Sequence, residues 1–129
     1  RAQSTAVLLQ QKDGTFTTAT NFSPPAAHLQ HEDLGALFFD FDNDGDNDLY
    51  VCSGSNESSE GSVYYQDRLY INQNGTLIDG TSLLPQMLTS TKVVVANDFD
   101  GDGDLDLYVA KNGARYRTRS DQSTTRIHY

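Results

Sequence analysis

The sequence predicts an all-β chain made of two four-stranded antiparallel units, and three observations predict it. The run D-F-D-N-D-G-D-N-D at Asp40 to Asp48 returns as D-F-D-G-D-G-D-L-D at Asp98 to Asp106, 58 residues later. A pair of turn glycines, Gly14 and Gly75, repeats 61 residues apart. Between these marks the chain is short runs of β-branched, aromatic and alternating residues, and no stretch sustains a 3.6-residue period.

In chain order, residues 1 to 5 are polar. Ala6-Val7-Leu8-Leu9 reads as a strand. Asp13-Gly14 supplies a hairpin turn, and Phe16 to Thr20 is the answering strand. Asn21 to Gln30 contains Pro24-Pro25 and reads as an irregular crossing. His28 and His31 flank it as ordinary polar contacts, since no nucleophile accompanies them. Leu34 to Phe39 is the strand that leads into the first aspartate run, and Leu49 to Cys52 leaves it. Ser53 to Gln66 is a polar surface loop, with Tyr64-Tyr65 packing back on the sheet. Arg68 to Asn72 and Thr76 to Ile78 form a hairpin through Asn74-Gly75, a left-handed turn pair. Leu83 to Met87, around Pro85, is a short turn. Lys92 to Ala96 leads into the second aspartate run, and Leu107 to Ala110 leaves it. Beyond Gly113 the chain turns basic, with Arg115, Arg117, Arg119 and Arg126 against Asp121.

Each unit is thus a strand pair joined by a glycine turn, followed by a strand pair joined by an aspartate loop. Four short strands per unit is the content of a β-propeller-type blade. The expected division is a partial first blade at 6–52, a surface loop at 53–66, a second blade at 67–112 and a basic tail at 113–129.

Carboxylates this crowded repel one another, so a cation must neutralise them. A hard divalent ion with oxygen ligands, above all Ca²⁺, fits the run. Side chains at loop positions 1, 3 and 5 converge if the backbone wraps round one point, and Gly45 and Gly103 at position 6 allow the wrap. Asp48 and Asp106 at position 9 close the loops. A helical calcium loop needs Glu at position 12, but Val51 and Val109 stand there, in strand-forming sequence. Asp/Gly-rich turns without metal are the bland alternative; two copies in register favour metal. Mg²⁺ suits the run less, because it holds few protein ligands in strict octahedral geometry.

The formal charge of −9 fits this reading. Ten of the 18 acidic residues lie in the two loops, and two Ca²⁺ would raise the charge to −5. The acidity argues against a nucleic-acid partner. Cys52, the single cysteine, reads as a buried strand residue. No apolar run is long enough to span a membrane.

The stretches F-F-D-F-D-N-D-G-D-N-D-L-Y-V (Phe38 to Val51) and A-N-D-F-D-G-D-G-D-L-D-L-Y-V (Ala96 to Val109) resemble the FG-GAP/VCBS repeat, the calcium-binding blade of integrin-like propellers. Arg68 to Leu77 is similar to the family's hairpin, and Leu8 to Phe16 to a looser copy. The likeness is strongest to the subgroup found with ASPIC/UnbV-type regions in secreted and surface proteins. It implies side-chain ligands at Asp40, Asp42, Asp44 and Asp48, with the carbonyl of Asp46. The second set would be Asp98, Asp100, Asp102 and Asp106, with the carbonyl of Asp104. Closed propellers have about 4–8 blades, whereas two units are present here.

The function expected is a non-enzymatic, Ca²⁺-stabilised extracellular or cell-surface module of adhesion or assembly. Its partners would be other copies or further blades, joined in a ring or a filament. The alternative is a fragment of a secreted propeller enzyme or carbohydrate-binding protein, with glycans as ligands. No nucleophile elbow or zinc motif supports catalysis, and Glu57 and Glu60 sit in a polar loop. Exposed Tyr64, Tyr65 or Tyr116 would support sugar stacking. Of three glycosylation sequons, at Asn21, Asn56 and Asn74, Asn56 is the best placed.

Overall fold

A computed structural model describes residues 5–55 and 57–111 and the backbone of 124–127. Its described residues hold β-strands and three short 3-10 turns, with no α-helix. The strands are β1 (Leu8–Gln10), β2 (Phe16–Thr18), β3 (Asp33–Phe39), β4 (Asp48–Ser53), β5 (Arg68–Gln73), β6 (Thr76–Asp79), β7 (Thr91–Asn97), β8 (Asp106–Lys111) and β9 (Thr124–Ile127). All pairings are antiparallel.

The sheets are cut differently from the sequence repeat. Two four-stranded blades are expected; among the described residues there is one four-stranded sheet, of order β3-β4-β5-β6. β1 and β2 pair only with each other, and β7-β8-β9 make a sheet of three. Each aspartate hairpin therefore pairs with the strand that follows it, not with the hairpin before it. The reason is pairing register: Leu49, Tyr50 and Val51 of β4 face Tyr70, Leu69 and Arg68 of β5. The basic segment is likewise not all tail, because Thr124–Ile127 pairs along β8, with Leu107 opposite Ile127. The other arginines of that segment, Tyr116 and Asn56 lie outside the described residues.

Alternation decides what each sheet buries. From the four-stranded sheet, Leu37, Phe39, Tyr50, Cys52, Leu69 and Ile71 point to one side. They meet Val94, Ala96, Leu107 and Val109 of the next sheet in one core, which Leu84 and Met87 close. The opposite side holds Leu49, Val51 and Tyr70 under Val7, Phe22 and Leu77. β3 and β7 carry the same bulge, between Asp33 and Gly35 and between Thr91 and Val93. At the first bulge the sheets come close: a Cβ on Gly35 would stand 2.8 Å from the Lys92 carbonyl oxygen. Equivalent positions of the two hairpins differ sharply in exposure. Tyr50 is 0% exposed, while its counterpart Tyr108 is 41% exposed, beside Val93 and Val95.

The polar stretch after β4 is not wholly surface. Ser53 and Gly54 are buried, and the segment ends in a 3-10 turn at Val63–Tyr65. Tyr65 packs inward, its Oη donating to the Ser58 carbonyl over 2.5 Å, whereas Tyr64 stays exposed. Asp67, fully buried, is the polar centre beneath. It accepts hydrogen bonds from Tyr50 Oη (2.6 Å), Ser53 N (2.7 Å) and Thr91 Oγ1. Arg68 next to it is buried too, pairing with Asp33 and donating from Nε to Ser53 Oγ. Cys52 lies in this interior, where burial pushes its thiol up to about 12; it is an inert packing residue.

His28 packs against Tyr70 of β5, and His31 against His28 and Tyr64. His28 Nδ1 is 2.9 Å from Tyr70 Oη, and among the described residues the buried His31 Nδ1 has no hydrogen-bond partner. Burial holds both imidazoles below their ordinary value, with Arg68 adding to the effect. Asp79 opposes it at His28. A histidine whose folded pKa is depressed binds fewer protons folded than unfolded. Its stabilising contribution is therefore present above the unfolded value of 6.5 and lost as pH falls below it. Asp67, raised by burial, works the other way in the acid range. We expect acidification from about pH 7.5 to about pH 5.5, in chelator, to lower the melting temperature. The His28→Gln/His31→Gln double variant should lose less over the same interval. Equal losses in thermal melts would remove the histidines as the cause.

Candidate metal centres

Each aspartate loop joins two strands of a hairpin, β3 to β4 and β7 to β8. The ninth aspartate begins the outgoing strand, so the sheet itself positions it. Asp48 is 0% exposed and Asp106 3%. Asp48 Oδ2 accepts the Phe41 N–H at 2.7 Å, and Asp106 Oδ2 accepts the Phe99 N–H at 2.8 Å. Asp48 Oδ1 also accepts the Asn72 N–H at 2.7 Å, which ties the first loop to β5.

The first aspartate of each loop is held by the backbone it encloses. Asp40 Oδ2 accepts the Gly45 N–H at 2.9 Å, and Asp98 Oδ2 the Gly103 N–H at 3.0 Å. The backbone reaches round only with left-handed residues. Gly45 and Gly103 stand at φ 90° and 99°. Position 4 is left-handed too, filled by Asn43 at 58° and by Gly101 at 79°. A Cβ on Gly45 or Gly103 would meet nothing within 4 Å, so the glycines serve backbone angle and not space.

The carboxylates at positions 1, 3 and 9 converge. Asp40, Asp42 and Asp48 each bring an oxygen within 4.8 Å of the other two, and so do Asp98, Asp100 and Asp106. Oxygens about 2.5 Å from a common Ca²⁺ are at most about 5 Å apart, so one ion could touch all three. The all-oxygen donor set is that of a hard cation. The Asp42 carboxyl is raised, first by loss of solvent and then by the Asp44, Asp48 and Asp40 carboxylates. That is the field a cation would relieve.

Positions 5 and 7 are placed differently. Asp44 and Asp102 lie outside the converging group. Each uses Oδ1 to accept the N–H two residues on, from Asp46 at 2.8 Å and Asp104 at 2.9 Å. The Asp104 carboxylate crosses to the other loop, where Oδ1 accepts from Asn43 Nδ2 at 2.8 Å. The role of Asn72 was not visible in the sequence. It caps its own turn by accepting the Gly75 N–H, and its side chain reaches the Asn47 carbonyl. An Asn two residues before Asn-Gly is the signal that could have found it.

A second concave site lies at the other end of the four-stranded sheet. It is a cavity of about 390 Å³ with His28, His31, Tyr64, Gln66 and Arg68 in its wall.

No curated protein and no solved structure matches the chain. Residues 1–51 and 40–109 match the FG-GAP-like repeat. Both matched segments end just after an aspartate loop, at the equivalent residues Val51 and Val109, and together they span most of the 129 residues. With two aspartate loops of one geometry on antiparallel hairpins, the chain belongs to the FG-GAP-like repeat family.

Proposed function

We propose that the chain is a non-catalytic, calcium-binding structural module of an extracellular protein, one that assembles with further sheets of its own kind. The observation that carries the reading is the duplicated convergence of three aspartate carboxylates, each built on a buried ninth residue. Ca²⁺ would be held by Asp40, Asp42 and Asp48 and by Asp98, Asp100 and Asp106. Asp44 and Asp102 would join after a side-chain turn, and the carbonyls of Asp46 and Asp104 would complete the shells. The ion supplies charge neutralisation and ties the ends of two strands together. Repeats of this family are typical of extracellular proteins, and Ca²⁺ is abundant there. Among the described residues no helix is long and apolar enough to cross a membrane. The VCBS and ASPIC/UnbV-associated proteins of surfaces and secretions are the setting we favour.

Assembly is supported by the mismatch between equivalent faces. Tyr50 and Leu37 of the four-stranded sheet are covered by the next sheet. Tyr108 and Val95, at the same positions one repeat later, are exposed at 41% and 48%. A further blade or a second copy covering that face would repeat the packing already inside the chain.

Carbohydrate binding is a second reading, favoured by the exposed Tyr64 ring at the rim of the histidine-lined cavity. Glu57 and Glu60 are exposed and give it no catalytic pair.

Three outcomes check the proposal. At about 1 mM Ca²⁺ and a site constant of about 10⁻⁴ M, each ion adds roughly 1.4 kcal/mol. Chelation should therefore lower the melting temperature, and Asp98→Ala should bind one ion where the wild type binds two; an unchanged melt in chelator would sink the calcium reading. Gly103→Val should weaken Ca²⁺ binding more than Asp104→Asn, because valine is strained at positive φ while asparagine keeps the position-7 carbonyl. In sedimentation with Ca²⁺, species heavier than the 14.2 kDa chain should form and be reduced by Tyr108→Glu. A wild type that stays at one chain's mass rejects self-association.

A further inference from the structure

We propose that the two loops bind their cations cooperatively, with Asn43 and Asp104 as the coupling pair. The inference rests on reading both loops as calcium sites. The contact that carries it is the hydrogen bond from Asn43 Nδ2 to Asp104 Oδ1, 2.8 Å long and made across 61 residues of sequence. It is a side-chain bridge from one aspartate loop to the other. Neither residue belongs to the three converging carboxylates of its own loop. A second, apolar connection runs beneath: Phe41 of the first loop and Leu105 of the second pack against the same core.

The bridge acts on backbone shape. Asn43 holds φ 58°, a conformation unfavourable for a residue with a Cβ and tolerated best by Asn. The first loop needs it, since the chain must turn back so that Asp40 can accept the Gly45 N–H. Asp104 is fixed from two sides, its N–H on Asp102 Oδ1 and its carboxylate on Asn43. With a cation held by Asp98, Asp100 and Asp106, the Asp104 backbone would be immobilised and, through its carboxylate, the Asn43 amide. Part of the ordering cost of the first loop is then met before its own ion arrives. By linkage the effect is reciprocal. The second loop has Gly101 at position 4, with no side chain to return the contact.

Electrostatics opposes this, because the first ion weakens the negative field that attracts the second. Added salt weakens that field, whereas the bridge is a direct contact between the loops. The coupling we propose is the excess of the bridge over the field.

Calorimetric titration of the whole chain with CaCl₂ at physiological ionic strength tests it. The second ion should bind about five-fold more tightly than the first after statistical correction, the low end of usual coupling. Asn43→Gly keeps the left-handed backbone and removes the donor; Asp104→Ala keeps the position-7 carbonyl and removes the acceptor. Each should abolish the preference for the second ion. Asp104→Asn keeps an accepting oxygen and should restore most of the coupling. Asn43 and Asp104 are exposed, so neither change touches the core. Two independent ions in the wild type overturn the coupling alone, as does a ratio unchanged in Asn43→Gly and Asp104→Ala. Absence of any calcium heat overturns the cation reading, and the coupling with it.

Discussion

The carboxylate of Asp48 is where loop and sheet become one object. Its two oxygens accept backbone N–H groups from Phe41, inside the loop, and from Asn72, on the neighbouring strand. A fully buried carboxylate is costly unless donors surround it, and these donors are supplied by the turn and the strand pairing themselves. If the loop opens, Asp48 loses a partner; if β5 slips, it loses the other. Asp106 starts β8 in the same way, with Phe99 donating. Keeping this residue at the boundary ties the convergence of the acids to the pairing of β4 with β5.

The loops and their strands were legible because their signal is local. A glycine at position 6, an aspartate at every odd position and a flanking Leu-Tyr-Val are all contained in about a dozen residues. What was not legible was the grouping of hairpins into sheets. A repeat of period near 58 has no marked beginning, and the same periodic text can be cut before or after the glycine-turn hairpin. The cut is made by the register of β4 on β5, a long-range contact. The buried polar centre was missed for a similar reason. Arg68 reads as the start of a strand and nothing local marks Asp67; only the fold brings Tyr50, Ser53 and Thr91 round the Asp67 carboxylate.

The role of position 5 shows the limit of reading ligands from spacing. The aspartates at the odd loop positions look alike in the sequence. In three dimensions Asp40, Asp42 and Asp48 point together, Asp44 secures the backbone of Asp46, and Asp104 bridges to the other loop. Identical residues at regular intervals have been given different work by the curvature of the chain between them. That curvature depends on left-handed residues at positions 4 and 6, where the two loops use Asn-Gly and Gly-Gly combinations to the same end.

The close approach at Gly35 gives the repeats an order. Its counterpart in the second hairpin is Val93, at the same bulge and 54% exposed. Where Val93 faces solvent, Gly35 faces the Lys92 carbonyl, with no room for a Cβ. The two hairpins are near-copies in text and are not interchangeable parts. Exchanging them would press a valine into another strand's backbone. Duplication of such a unit thus yields a syntax as well as a copy: the inner member must give up a side chain before a successor can lie against it.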